Sequence, residues 1–274
     1  METVARERPV VRSAVALVAA VGLGGGGLFL GFVLALLAGF VLSAGVGIEM
    51  TPVRFIVISL IFVQGIGAAG VALTYRKYRP RLAPKVRSVL GLSGGVSSLS
   101  LPAAVPTVGQ VLIVGVGYVA AIGAAMVGGL VVSSLNVQTG QNAAAEVGME
   151  NPEVLLLLIP ASILLIGPGE ELLFRGVVQG RLKEVFGWQV AVVLASVIFA
   201  ALHWFALSGG STTGNLVVLG VLVGPSLVFG LAYEFTDNIV VPSLIHGVYN
   251  ATLFTLLYVA IEYGEGLPEA ALVF

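Results

Sequence analysis

VLLLLIPASILLIGPGEELLFRG, residues 154–176, is uncharged from Val154 to Gly169, then sets Glu170 beside Glu171, with Arg175 four positions after the second glutamate. Such an uncharged run reads as a helix crossing a bilayer, whose hydrocarbon core takes about 20 apolar residues. A charged side chain at the centre of a span costs roughly 2.5–3.5 kcal/mol on insertion scales, and those that are retained usually serve a site. One stretch therefore bears on both fold and chemistry.

The remainder of the chain is of the same kind. Of its 274 residues 58% are hydrophobic and only 10% charged, and the mean hydropathy is +1.06, far from the balance of a soluble domain. Uncharged runs cover Ser13–Ile48, Phe55–Tyr75, Ser88–Ala145, Val185–Tyr233 and Asn238–Ile261. Gly/Ser/Pro clusters at 91–107 and 208–215 divide the two longest. The pattern predicts an all-α polytopic transmembrane bundle of about seven spans, near 13–45, 54–75, 107–134, 153–186, 189–207, 215–234 and 239–262. An eighth arises if the last segment breaks. The fourth is too long for one simple crossing, and Pro168, between Gly167 and Gly169, is expected to interrupt or kink it.

Basic residues orient the array. Arg6, Arg8 and Arg12 precede the first span, Arg76, Lys77, Arg79, Arg81, Lys85 and Arg87 follow the second, and Arg181 and Lys183 lie between the fourth and fifth. Seven spans place all three clusters in the cytoplasm, the N-terminus inside and the C-terminus, with Glu262, Glu265 and Glu269, outside. The stretch 76–87 reads as a basic cytoplasmic loop touching anionic headgroups. The first uncharged run is much longer than the apolar core of a signal peptide and reads as a signal anchor. With no cysteine in the chain, disulfides, thiolate ligands and a cysteine nucleophile are excluded. Residues 1–150 form an N-terminal membrane region of about three spans, and residues 151–274 carry the intramembrane polar residues. The expected partners are the bilayer and a membrane-associated peptide or protein, with no nucleic acid.

Glu171 and Arg175, four apart, share a helix face and can form an ion pair. Glu170 is then left without a partner in its own helix, and a carboxylate in an apolar span is a candidate general base. The chain's two histidines also fall inside predicted spans. Phe199 and His203 are four apart, as are His246 and Asn250, so each pair presents one face. A helical hairpin turning near Gly187 would bring Glu170 and His203 to similar depth, since they lie nearly equal distances from the turn.

Glu170-Glu171-xxx-Arg175, Phe199-xxx-His203 and His246-xxx-Asn250, in this order on three helices, resemble the three motifs of the CAAX prenyl endopeptidase and bacteriocin-processing (CPBP, or Abi) family. Pro168 before the first motif and Phe174-Arg175-Gly176 at its end add to the likeness, which covers roughly 153–255. The resemblance implies that 151–274 is the catalytic membrane domain of an endopeptidase, the best known relatives removing the last three residues of prenylated CAAX proteins. It implies that Glu170 and His203 activate the attacking water, that Glu171 and Arg175 support the first glutamate, and that His246 and Asn250 stabilise the oxyanion. Glu170, His203 and His246 could also hold a divalent metal such as zinc, leaving a fourth position for water. Direct glutamate–histidine activation without metal is the other form of the mechanism.

Other chemistries fit less well. Asp237 is the only aspartate, so an aspartyl dyad is excluded, and there is no His-Glu-xx-His zinc motif. Gly91-Leu-Ser93-Gly-Gly95 matches the serine-nucleophile pattern by letters but lies in a Gly/Ser-rich loop without strand–turn–helix context. The rivals from another class are a transporter, which the lack of a visible inverted repeat disfavours, and a non-catalytic scaffold or immunity-type protein, for which a surplus glutamate has no use.

Overall fold

The structure, a computed structural model, describes residues 9–92 and 99–264. Arg6, Arg8, Ser93, Gly95, Glu265 and Glu269 lie outside the described residues. In chain order the elements are α1 (Pro9–Gly45), α2 (Pro52–Val89), α3 (Val108–Leu135), the two-residue strand β1 (Gln141–Asn142), α4 (Ala143–Glu150), α5 (Glu153–Ala206), β2 (Leu207–Ser208) lying just beyond it, α6 (Thr212–Thr236) and α7 (Val240–Tyr263). Strands β1 and β2 pair antiparallel. The protein is an all-α polytopic bundle, and α1, α2, α3, α5, α6 and α7 are long and apolar enough to cross a membrane.

Helix α5 runs for 54 residues, but Gly187, at φ 76° and ψ 170°, breaks it. Only glycine enters that region without strain. The two arms fold back on one another, so that Phe174 and Phe199, either side of the break, meet edge to face at 4.9 Å. The hairpin turn expected near Gly187 is where the chain places it. Against the seven spans expected, six helices among the described residues are long and apolar enough to cross a membrane, α5 counting once despite its break, and α7 continues unbroken to Tyr263.

Two close helix crossings set the interior. A Cβ on Gly31 of α1 would lie 2.5 Å from the Phe62 carbonyl oxygen of α2, and one on Gly67 would lie 2.6 Å from the Gly27 carbonyl oxygen. Where α5 meets α7, a Cβ on Gly167 would lie 2.7 Å from the Ser243 carbonyl oxygen, and one on Gly247 would lie 2.8 Å from the Ile163 Cα. Lipid tails are as apolar as leucine, so helices in a membrane gain little from hiding leucine. They associate by close packing over small residues. Phe29, Leu112, Val116, Leu130 and Leu164 accordingly face outward, while Glu170, Glu171, Arg175, Ser226 and His246 are buried. The polar groups have their partners inside, as a hydrocarbon surround requires.

Three local features differ from expectation. The basic stretch 76–87 is helix, because α2 continues to Val89 through Pro80 and Pro84. Long basic side chains favour helix, and the end of α2 is anchored by Arg79, whose Nη2 lies 2.5 Å from Glu184 Oε1 on α5. Pro168 does not end its helix. The chain stays helical on both sides of it, and the disturbance takes the form of wide π turns at Ser162–Ile166 and Leu172–Gln179 that flank both glutamates. An extra residue per turn absorbs a lost amide donor, and such turns gather at functional sites. Helix α4 and the β1–β2 pair lie between expected spans and carry no sequence signal beyond polar loop residues.

Candidate active site

Glu171 is fully buried. Its Oε2 accepts from Arg175 Nε at 2.8 Å, the ion pair that the four-residue spacing predicts. Its Oε1 accepts from His246 Nδ1 at 2.9 Å. Arg175, equally buried, donates through Nη2 to Ser226 Oγ on α6 at 2.9 Å, and its guanidinium carbon lies 5.4 Å from the Phe199 ring centre and 5.9 Å from that of Phe229. A cation over two ring faces is held by their quadrupoles. One carboxylate thus has a cation of its own within a closed shell.

His246 stands where three helices meet. With the Glu171 carboxylate accepting at Nδ1, that nitrogen carries the proton, and Nε2 is left to accept from Asn250 Nδ2 at 3.2 Å. Phe229 stacks on the imidazole at 4.7 Å and 14°. Four side chains in series, Arg175, Glu171, His246 and Asn250, fix one tautomer and one ring orientation. The support that sequence reasoning directed to Glu170 goes to His246 instead.

Glu170 is placed differently. It is buried, among the described residues no Arg or Lys pairs with it, its Oε1 accepts from Gln64 Nε2 of α2 at 2.9 Å, and its Oε2 lies 3.9 Å from His246 Nε2. That gap is too long for a hydrogen bond and short enough for one water to bridge.

His203 closes the second arm of α5. Its Nδ1 donates to the Phe199 carbonyl at 2.8 Å, so Nε2 is unprotonated in the neutral ring. Among the described residues no hydrogen bond joins it to Glu170 or His246. The Phe199 ring stands between the two histidines, 4.4 Å from His203 and 5.8 Å from His246. The single turn His203–Ala206 leads into β2. Pairing of β2 with β1, and the Asn215 side chain, which accepts from Gly140 N at 2.7 Å and donates to Gly209 O at 3.0 Å, fasten the end of that arm.

The structure therefore joins Glu171, Arg175, His246 and Asn250 directly, sets Glu170 across a gap from them, and holds His203 beside them through Phe199. Sequence reasoning missed Gln64, Ser226 and Phe229. Gln64 left a signal, as the sole amide in the apolar run Phe55–Thr74; Ser226 and Phe229 left none. A cavity of about 960 Å³ lies at the basic end between α1 and α2, lined by residues such as Val15, Leu23, Ile66, Tyr75 and Arg79, and by none of the six candidate residues.

The donor set was also tested for a metal. Both His246 nitrogens are engaged, by Glu171 and by Asn250, and among the described residues no three His, Asp or Glu side chains converge as ligands. Glu170, His203 and His246, as arranged, do not fit a three-ligand site, and no step is derived through one.

Residues 152–252 match the model of the type II CAAX prenyl endopeptidase Rce1-like family. This segment is similar to the Rce1-like family. The matched segment holds all six candidate residues, and its likeness is to a family of membrane peptidases. The chain is also 36% identical over 88 residues to the uncharacterized protein YpbD of Bacillus subtilis (strain 168), an alignment covering 32% of this chain and 39% of that one. The chain thus spans about two fifths of that relative's length. No solved structure matches it.

Proposed function

We propose that this protein is a multi-pass endopeptidase of the cell membrane, of the CAAX prenyl type, that hydrolyses a peptide bond in a membrane-associated peptide or protein, prenylated or not. The observation that carries the reading is Glu170, a buried carboxylate with no Arg or Lys partner among the described residues and one oxygen facing a fixed histidine. Packing has no use for a second carboxylate here; a hydrolase needs a proton acceptor.

In this reading water sits against Glu170 Oε2, in the gap before the His246 ring and Asn250. Its oxygen attacks the scissile carbonyl carbon as Glu170 takes one proton, and the proton passes to the departing amine nitrogen when the C–N bond breaks. The products are a carboxylic acid and an amine. Asn250 has a second amide hydrogen for the oxyanion, and preorganised donors of this kind are the strongest single contribution in acyl transfer. Glu171, held by Arg175 that Ser226 in turn anchors, keeps the His246 proton on Nδ1 and the ring fixed beside the gap. The resemblance also gives His203 to the water; its Nε2 is unprotonated in the neutral ring, but it lies across the Phe199 ring from His246.

A scaffold reading has one observation in its favour: Arg175, Glu171 and His246 are hydrogen-bonded in series and buried, as a structural staple would be. The two are separated by incubating the purified protein in lipid with prenylated and unprenylated tailed peptides and identifying products by mass spectrometry. Cleavage that Glu170→Gln abolishes supports the peptidase. No cleavage of any peptide by the wild type refutes it and leaves the scaffold.

A further inference from the structure

Gln64 lies 106 positions from Glu170 in sequence, on a helix outside the Rce1-like segment. Its amide nitrogen is nevertheless 2.9 Å from Glu170 Oε1. The backbones are clamped at the same level: a Cβ on Gly169 would lie 2.7 Å from the Gln64 carbonyl oxygen. The α1–α2 crossing at Gly27, Gly31 and Gly67 sits one turn along α2, and the segment Leu60–Gly70 is wound as a wide π helix, which re-aims side chains relative to an α turn. Gln64 Oε1 is buried without a hydrogen-bond partner. An amide kept only to staple two helices would use both ends, since leaving a buried acceptor unmade is costly. Here only the donor is used, and it is spent on the carboxylate with no cation.

We infer that Gln64 is a positioning residue for the reaction: by holding Oε1 of Glu170 it turns Oε2 toward the gap before His246, and so selects the oxygen that takes the proton from water. The inference rests on the peptidase reading above. It assigns the N-terminal spans a part in the site, so that the Rce1-like segment alone is incomplete. Gln64 touches neither water nor peptide in this role and acts through Glu170.

The test uses the full chain in lipid with a peptide that the wild type cleaves, and three variants: Gln64→Met, which keeps length and removes the donor, Glu170→Gln, and the two combined. Gln64→Met is expected to lower kcat by about 10- to 100-fold, the worth of a hydrogen bond to a charged group, with KM unchanged. In the Glu170→Gln background the same change should have no further effect, because the group it orients is gone. Wild-type kcat in Gln64→Met, or an equal drop in both backgrounds, overturns the inference while leaving Glu170 as base. Retained cleavage in Glu170→Gln sinks the peptidase mechanism itself. If the wild type cleaves nothing, melting midpoints of the same variants decide whether the contact exists: non-additive shifts support Gln64 as the holder of Glu170, and additive shifts overturn it.

Discussion

Replacing Arg175 by methionine removes a cation and preserves most of the volume. In the wild type Arg175 Nε binds Glu171 Oε2 at 2.8 Å with both side chains fully buried, so the variant leaves Glu171 with His246 Nδ1 as its remaining donor. Removing one partner of a buried ion pair costs about 3–5 kcal/mol, because the other charge is left uncompensated. Loss of Arg175 leaves the Ser226 hydroxyl oxygen one donor short, a small cost for a group that still has its own proton to donate, and the two ring contacts contribute at most about 1–2 kcal/mol. At roughly 2–4 °C per kcal/mol for a chain of this size, the melting midpoint in detergent should fall by about 6–20 °C. The second half of the cycle is more diagnostic. Glu171→Gln on top of Arg175→Met removes the stranded charge and keeps an oxygen that His246 can donate to, so the double variant should melt above Arg175→Met alone. Peptide cleavage should not return with stability, because the guanidinium that fixed residue 171, and through it His246, is still missing. Unchanged melting of Arg175→Met, or a double variant whose loss is the sum of the singles, would refute the pairing argument.

Three further outcomes are expected. Glu170→Gln should lower turnover by at least ~10²-fold, the usual contribution of a general base, and His203→Ala should add little to it if the two act as one unit; independent, multiplying losses would separate His203 from the water. Dialysis against a strong chelator should leave cleavage intact, since the donor set does not close around a metal, and a loss that zinc restores would reverse that reading. A reporter fused after Arg81 should be active as a cytoplasmic fusion and one after Glu262 as an external fusion; both on the same side would break the seven-span arrangement.

Fold class, the hairpin break at Gly187 and the pairing of Glu171 with Arg175 and of His246 with Asn250 were legible because each rests on local or periodic information. An uncharged run of some 20 residues has few alternatives to a membrane helix. A glycine between two such runs marks where the chain can turn, and four-residue spacing puts Glu171 on Arg175 and Asn250 on His246 whatever surrounds them. What spacing cannot supply is which partner a side chain meets across a helix interface. That depends on rotation and depth, set here by backbone contacts at Gly31–Phe62, Gly67–Gly27, Gly167–Ser243 and Gly247–Ile163. Those contacts direct the Glu171–Arg175 pair to His246 and leave Glu170 to Gln64. They also bring Ser226 and Phe229 of α6 against groups that no sequence pattern links to them. The basic stretch 76–87 was misread as loop for the same reason: its charge indicated a side of the membrane, and only the contact of Arg79 with Glu184 shows that it stays helical against α5. Composition and period determine which residues must be inside; close packing of small residues in a medium without a hydrophobic drive decides which of them touch.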